Sequence, residues 1–298
     1  TTEIYTLSLH DALPIFRVSE VVASLNLVGA GHVGKVLGRL LSASGVCTVQ
    51  DVLTRSPASA RAAVDFVNAG RACASIGELR PADIWLLAVN DDQIAPMAAA
   101  LAQAHEVKGA VIFHCSGAKA SSELQALADK GALVASVHPI RSFADPEAVA
   151  RDFAGTFCGI EGEAQALARL ASAFGAIGAR LVPIDAAAKT VYHAAAVFAS
   201  NYLTTVLDAA LRAYQAAGVP EPIARELARP LASETMANVF RLGPVAALSG
   251  PVARGDHATV ARQQQALLDW DEATGRLYEA LLPLTADLAR RKRAIPAS

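Results

Sequence analysis

A chain of 298 residues and 30.9 kDa is too long for one small domain and, at roughly 150 residues each, suits two. With 53% hydrophobic and 18% charged residues it can bury a large core and is not disordered. The 26 basic and 28 acidic side chains leave a formal charge of -2, which gives no basic footprint for nucleic acid or an anionic membrane.

A mean hydropathy of +0.33 calls for a check on membrane spans. The most apolar run, 186–207, is interrupted by Lys189, His193 and Asn201. It offers no clean stretch of about 20 apolar residues, so a membrane protein is not expected. Cys47, Cys73, Cys115 and Cys158 form no CxxC pair and no Cys/His cluster. That argues against a disulfide framework or a structural zinc site, and for a reducing cytoplasm.

Residues 1–15 have no basic or continuous apolar region of the kind a secretory signal needs. The string resembles translated sequencing-adapter read-through, and it is expected to be a non-native or disordered tail ahead of a fold that starts near Phe16. From there apolar, strand-like runs alternate with helical stretches. Strands are expected at 25–28, 48–53, 84–89, 110–114 and 133–137, separated by helices at 32–44, 59–69, 94–104 and 121–130. Two more strands, 156–160 and 179–184, flank a helix at 163–174. The alternation predicts an α/β fold, a doubly wound and mostly parallel Rossmann sheet with helices on both faces.

After Asp185 the pattern is helical throughout, with helices at 186–217, 221–241, 258–269 and 272–291. Pro230 is expected to kink or split the second of these. The irregular segment 243–257 holds Gly243-Pro244, Gly250-Pro251 and Arg254-Gly255-Asp256. The expected division is a dinucleotide-binding domain over 16–185 and a helical substrate and dimerisation domain over 186–298.

Gly29-Ala30-Gly31-His32-Val33-Gly34 follows the first strand and opens the first helix. This is the setting in which G-x-G-x-x-G binds a pyrophosphate: one glycine for the turn, one for close approach, one for helix–strand packing, and a helix N-terminus for the charge. At the end of the second strand Thr54-Arg55-Ser56 offers a guanidinium and hydroxyls suited to the 2′-phosphate of NADP. Asp51 is the alternative, a ribose ligand for NAD, which is the less favoured cofactor here. Asn90, Ser116 and His138 stand at later strand ends, where open α/β sheets bind ligands. Asn90 and Ser116 are candidates for the ribose and nicotinamide, and His138 for the substrate. His114, Cys115 and His138 lack a carboxylate to complete a metal site, so none is expected. On the first helix of the second domain Lys189 and His193 are four apart and share a face. Asn201 follows about 80° further round. This is a candidate acid/base wall.

Tyr192-His193-Ala194-Ala195-Ala196-Val197-Phe198-Ala199-Ser200-Asn201-Tyr202 and Leu248-Ser249-Gly250-Pro251-Val252-Ala253-Arg254-Gly255-Asp256 resemble the hallmarks of an oxidoreductase-like family. So do His114-Cys115-Ser116-Gly117 and His138-Pro139. That family joins a Rossmann-like domain to a C-terminal domain of unknown function 2520. Its architecture is similar to pyrroline-5-carboxylate reductase, ketopantoate reductase and the 6-phosphogluconate and β-hydroxyacid dehydrogenases. The resemblance implies an all-α second domain of the 6-phosphogluconate dehydrogenase type that forms a homodimer. In the β-hydroxyacid dehydrogenases a lysine on this helix serves acid/base chemistry and an asparagine one turn later orients the substrate. Lys189 matches the first position, and His193 stands where the asparagine would.

The expected activity is NADP-dependent hydride transfer to or from a small carbonyl, hydroxyl or imine compound. His193 would be the proton donor, Lys189 and Asn201 would support it, and Arg254 would hold an anionic group of the substrate. The alternative is a non-catalytic NAD(P)-binding or redox-sensing protein on the same fold.

Overall fold

The structure is a computed structural model that describes residues 22–294; the tail 1–15 lies outside them. The chain divides into two compact units after Ala196.

The first unit is built on eight strands, β1 (Ala23–Val28), β2 (Cys47–Leu53), β3 (Arg71–Cys73), β4 (Ile84–Leu87), β5 (Val111–His114), β6 (Leu133–Pro139), β7 (Phe157–Gly162) and β8 (Arg180–Pro183). They form one sheet in the order β3-β2-β1-β4-β5-β6-β7-β8. The order reverses beside β1, which is the switch point where such sheets bind ligands. Side chains alternate across the sheet as the two-residue strand period requires. Leu25, Leu27, Leu86, Val111, Phe113, Ala135 and Val137 enter one core, with Leu37, Leu41 and Phe174. Val28, Trp85, Leu87, Ile112 and Val134 enter the other, with Ile94, Leu101 and Leu124. Helices α1 (His32–Ala43), α2 (Pro57–Val67), α5 (Pro146–Arg151) and α6 (Ala164–Ala176) supply the first core, and α3 (Ile94–Ala104) and α4 (Gln125–Ala128) the second. Each fully buried Leu, Ile, Val or Phe contributes about 1.5–3 kcal/mol. Covering both faces explains why the strands read as unbroken apolar runs.

Two features depart from the sequence expectation. β3 is an additional strand, paired with β2 through Asp51 and Arg71. β7 runs antiparallel to β6, with His138 opposite Gly159, whereas β8 is parallel to β7. The connection between β6 and β7 holds only the short α5, and the chain re-enters at the end where β6 stops, the Ile140 N–H donating to the Phe157 carbonyl at 2.8 Å. A parallel β7 would need a crossover long enough to return along the sheet.

A 3₁₀ turn (Ala186–Ala188) leads into α7 (Lys189–Val197), whose chain belongs to the first unit as far as Ala196. The second unit starts at Val197, the last residue of α7, and runs through a π-turn over Phe198–Tyr202 into α8 (Leu203–Ala216), α9 (Glu221–Leu242), α10 (Pro244–Ala247), α11 (Gly250–Arg254), α12 (His257–Trp270) and α13 (Glu272–Arg293). The helical run Ala186–Ala216 is long and apolar enough, by length and composition alone, to cross a membrane. Its Lys189, however, is buried in a polar network of the sheet unit. The π-turn breaks the α-helical phase, so a uniform step of about 100° per residue does not carry from His193 to Asn201. Its carbonyls are met by hydroxyls: Thr204 donates to Ser200 O and Thr205 to Asn201 O. Pro230 lies inside an unbroken α9 and does not split it. Asp256 caps α12 by accepting from Thr259 N–H at 3.0 Å, and Gly255 adopts φ +74° to end α11.

Candidate active site

The three loop glycines differ in what surrounds them. A Cβ on Gly29, at φ +84°, would meet the Ala88 carbonyl oxygen at 2.5 Å. One on Gly34 would meet the Ala88 side chain at 2.7 Å. These two are required by the protein's own packing. A Cβ on Gly31 would meet nothing within 4 Å, so glycine there serves access to the backbone from outside. Gly31 is the N-cap of α1, and the first turn has neither a side-chain cap nor an acidic residue. Its N–H groups and partial positive charge are thus available to an anion. His32 Nδ1–H donates to the Phe143 carbonyl at 2.6 Å and ties this helix end to the segment after β6. Val33 is half-buried behind it. The residues present fit a pyrophosphate.

Beyond β2, Thr54, Ser56 and Ser59 form one hydroxyl cluster. Thr54 Oγ1 and Ser59 Oγ are 2.6 Å apart, and Ser56 Oγ caps α2 by accepting from Ser59 N–H. Arg55 is exposed beside them. Asp51, the alternative ribose ligand, is fully buried in β2 and engaged by Arg71 at 2.9 Å and Arg80 at 2.8 Å. Burial pushes its carboxyl upward, but the hydrogen bonds from Arg80 and Arg71 outweigh this and hold it well below the usual range. Asp51 therefore ties β2, β3 and the segment before β4 together and cannot reach a ribose. Asn90 is exposed and leads the 3₁₀ turn Asp91–Gln93, its side chain free of any capping bond.

The carboxyl ends of β5 and β6, with the antiparallel β7 beside them, meet the start of α7. His114 is fully buried; it accepts at Nδ1 from Ser116 N–H (3.1 Å) and donates from Nε2 to the Ala120 carbonyl (3.0 Å). Burial lowers its pKa and keeps it a neutral structural ring. Ser116 Oγ accepts from the Ala118 and Lys119 N–H groups and so holds the turn after β5. Lys189 is only 3% exposed. Its ammonium donates to Ser116 O at 3.0 Å, to Ser136 Oγ, and to Glu161 Oε1 at 3.4 Å. Glu161 is itself buried and accepts from Ser121 N–H and Oγ. Burial lowers the Lys189 pKa and Glu161 opposes that shift. All three of its N–H bonds are thus engaged inside the protein, as a support behind the strand ends.

In front of that support lie His138, Tyr192 and His193. His138 Nδ1 is 2.9 Å from Tyr192 Oη, and the His138 and His193 rings stand edge to face at 5.5 Å. Burial first, then the neighbouring His193 and Lys189, push the His138 pKa down to about 4, so the ring is neutral at physiological pH. His193 Nδ1 is buried without a hydrogen-bond partner among the described residues. The two rings meet over Gly117, where a Cβ would lie 2.4 Å from His193 Nδ1 and 2.7 Å from His138 Cε1. Among the described residues no group of three or more His, Cys, Asp or Glu side chains is arranged to hold a metal. Asn201, in the π-turn, and Arg254, exposed at the end of α11, belong to the second unit.

Of the residues singled out in the sequence, the structure gathers Ser116, His138, Lys189 and His193. Gly117 and Tyr192, named in the sequence only as members of the family-like motifs, join them, and so do Ser136 and Glu161. Glu161 directly follows the expected strand 156–160 and has Glu163 two residues on, so nothing in the sequence marked it as a buried partner of Lys189. Gly117 and Tyr192 stood in the motifs His114–Gly117 and Tyr192–Tyr202, but with no role assigned to them there.

A Rossmann-like domain model matches residues 17–139, and a domain of unknown function (DUF2520) model matches residues 156–283. The chain thus joins a Rossmann-like domain to a DUF2520 domain. The His138 side of the site falls in the first of these domain matches, and Glu161, Lys189, Tyr192 and His193 fall in the second. No curated protein sequence matches the chain. Among solved structures, BF3122 of Bacteroides fragilis, a presumed NADP oxidoreductase, is similar with TM-score 0.73 at 23% identity, over 89% of this chain and 98% of that one. Protein TM1727 of Thermotoga maritima is similar with TM-score 0.68 at 25% identity, over 90% and 99%. An imine reductase of Myxococcus stipitatus, solved with NADP+, is similar with TM-score 0.63 at 15% identity, over 90% and 94%. At these identities the likeness to the first and third is one of fold.

Proposed function

We propose that this Rossmann–DUF2520 protein is an NADP-dependent oxidoreductase acting on a small carbonyl, hydroxyl or imine compound. The observation that carries the reading is the orphaned His193 nitrogen among the strand ends of a sheet whose glycine loop keeps one backbone position clear. The fold is shared with NADP-bound reductases, and the Thr54-Arg55-Ser56 cluster suits the 2′-phosphate. Gly29, Gly31, Gly34 and the first turn of α1 would hold the pyrophosphate, and Asn90 and Ser116 would border the ribose and nicotinamide. When bound, the nicotinamide supplies or accepts the hydride. His193 gives a proton to the oxygen or nitrogen that gains charge, or takes one in the reverse direction. Lys189 holds the Ser116 carbonyl and the β6–β7 ends in place behind it. Asn201 and Arg254 remain candidates for orienting the substrate, Arg254 through an anionic group.

Four free thiols suit a reducing compartment, and we place the protein in the cytoplasm. The exposed apolar side chains of its helices favour a homodimer. A non-catalytic NADP-binding role is favoured by one observation, that Lys189 has no hydrogen left for a substrate.

The deciding experiment follows NADPH consumption over a panel of keto acids, aldehydes and cyclic imines. His193→Ala should keep NADPH affinity and lower turnover about 10²–10⁴-fold. NADPH binding with no consumption across the panel would support the non-catalytic reading instead.

A further inference from the structure

Tyr192 reaches the strand ends because Gly159, opposite His138 in the β6–β7 pair, has no side chain: a Cβ there would lie 2.4 Å from the phenol oxygen. Burial pushes the phenol up to about 12, so it keeps its proton. Its oxygen lies 2.9 Å from His138 Nδ1, and either atom can donate. With the phenol as the donor, His138 carries its own ring proton on Nε2. That nitrogen lies 2.8 Å from the point a Gly117 Cβ would occupy, and His193 Nδ1 lies 2.4 Å from the same point. A donor and an orphaned nitrogen therefore flank one spot that a glycine keeps free. The two nitrogens form no hydrogen bond, but a lone pair on His193 Nδ1 suits a neighbouring N–H, whereas an N–H there would be set against another N–H.

We propose that Tyr192 and His138 are positioning residues, which fix the His193 ring with its proton on Nε2, the nitrogen not walled in by Gly117. The inference rests on His193 being the proton donor, and it gives that donor a defined orientation. Lys189 does not compete for either ring, since its hydrogens go to Ser116, Ser136 and Glu161. The arrangement extends the usual logic of an oriented acid, in which a second group selects the tautomer of the first. Here that second group is a histidine, itself set by a tyrosine.

The test reads ring tautomers by two-bond proton–nitrogen NMR on the full chain, labelled with nitrogen-15 and loaded with NADP+, at neutral pH. In the wild type both rings should be single Nε2–H tautomers. Tyr192→Phe should bring a second tautomer into the His138 pattern. His138→Ala should bring a second tautomer into the His193 pattern, and His138→Gln, which restores an N–H donor, should return it to one. A wild-type His193 carrying its proton on Nδ1 would overturn the proposal without any variant needing to fold. So would a His193 pattern unmoved by His138→Ala. Turnover in His193→Ala separates the two readings: undiminished turnover defeats the proton-donor role, while the tautomer pattern alone decides the positioning.

Discussion

Thr54, Ser56 and Ser59 bond to one another at the start of α2, and this fixes the local backbone while Arg55 stays exposed beside it. A guanidinium beside a preorganised hydroxyl cluster is a strong ligand for a phosphate dianion, because the fork and the hydroxyls act together. The carboxylate that would favour an unphosphorylated ribose is occupied elsewhere, between Arg71 and Arg80. Arg55→Ala is therefore expected to weaken NADPH binding about ten- to a hundredfold, the loss of one charge-assisted contact. NADH binding should hardly change, since it has no 2′-phosphate for Arg55 to meet. Isothermal calorimetry with both cofactors checks this, and a wild type that prefers NADH would contradict it.

At the scale of elements, the buried Lys189–Glu161 pair joins α7 to β7, and through Ser116 and Ser136 to β5 and β6. Such a pair adds little over an apolar pair of equal volume, but breaking it leaves an uncompensated charge in the interior. Glu161→Gln is expected to lower unfolding stability by about 3–5 kcal/mol in urea titrations. Adding Lys189→Met should return part of that loss, since the stranded charge is gone. A neutral Glu161→Gln, or losses that simply add, would show that the pair does not act as a unit. The elements themselves were largely readable because both faces of the sheet are covered, which writes strands as apolar runs and helices as amphipathic ones. β3 was not readable: it is three residues long, begins with Arg71, and is a strand only because Asp51 and β2 lie beside it. The direction of β7 was not readable either, since period-two burial is the same in both directions. Within the site, the glycine loop was legible from local spacing. The meeting of Gly117, His138, Gly159 and Tyr192 depends on contacts between residues far apart in the chain, and spacing does not encode those.

At the scale of the whole molecule, the helices leave much apolar surface exposed. On α9, Ile223, Leu227, Leu231 and Leu242 are all exposed. At about 100° per residue they fall within one stripe roughly 100° wide. Phe240, on the other side of the helix by the same step, is a nearly bare ring at 88% exposure, and Phe198, Tyr202 and Val206 are exposed on the helical run before α9. Soluble monomers rarely show contiguous apolar patches beyond a few hundred Å², and an exposed stripe of this kind favours the homodimer proposed above. A second copy is the simplest occupant: it brings the same apolar stripe, and a two-fold axis lets each stripe cover its equivalent. Sedimentation equilibrium at micromolar concentration should then give a dimer. Leu227→Glu combined with Leu231→Glu places two carboxylates where apolar groups would be desolvated, each costing several kcal/mol. The dimer dissociation constant should rise at least about a hundredfold. Because both positions are solvent-exposed in the single chain, helix content by circular dichroism should stay as in the wild type. A wild type that sediments as a monomer, or a double variant that dimerises unchanged, would remove the second copy as the partner of this face.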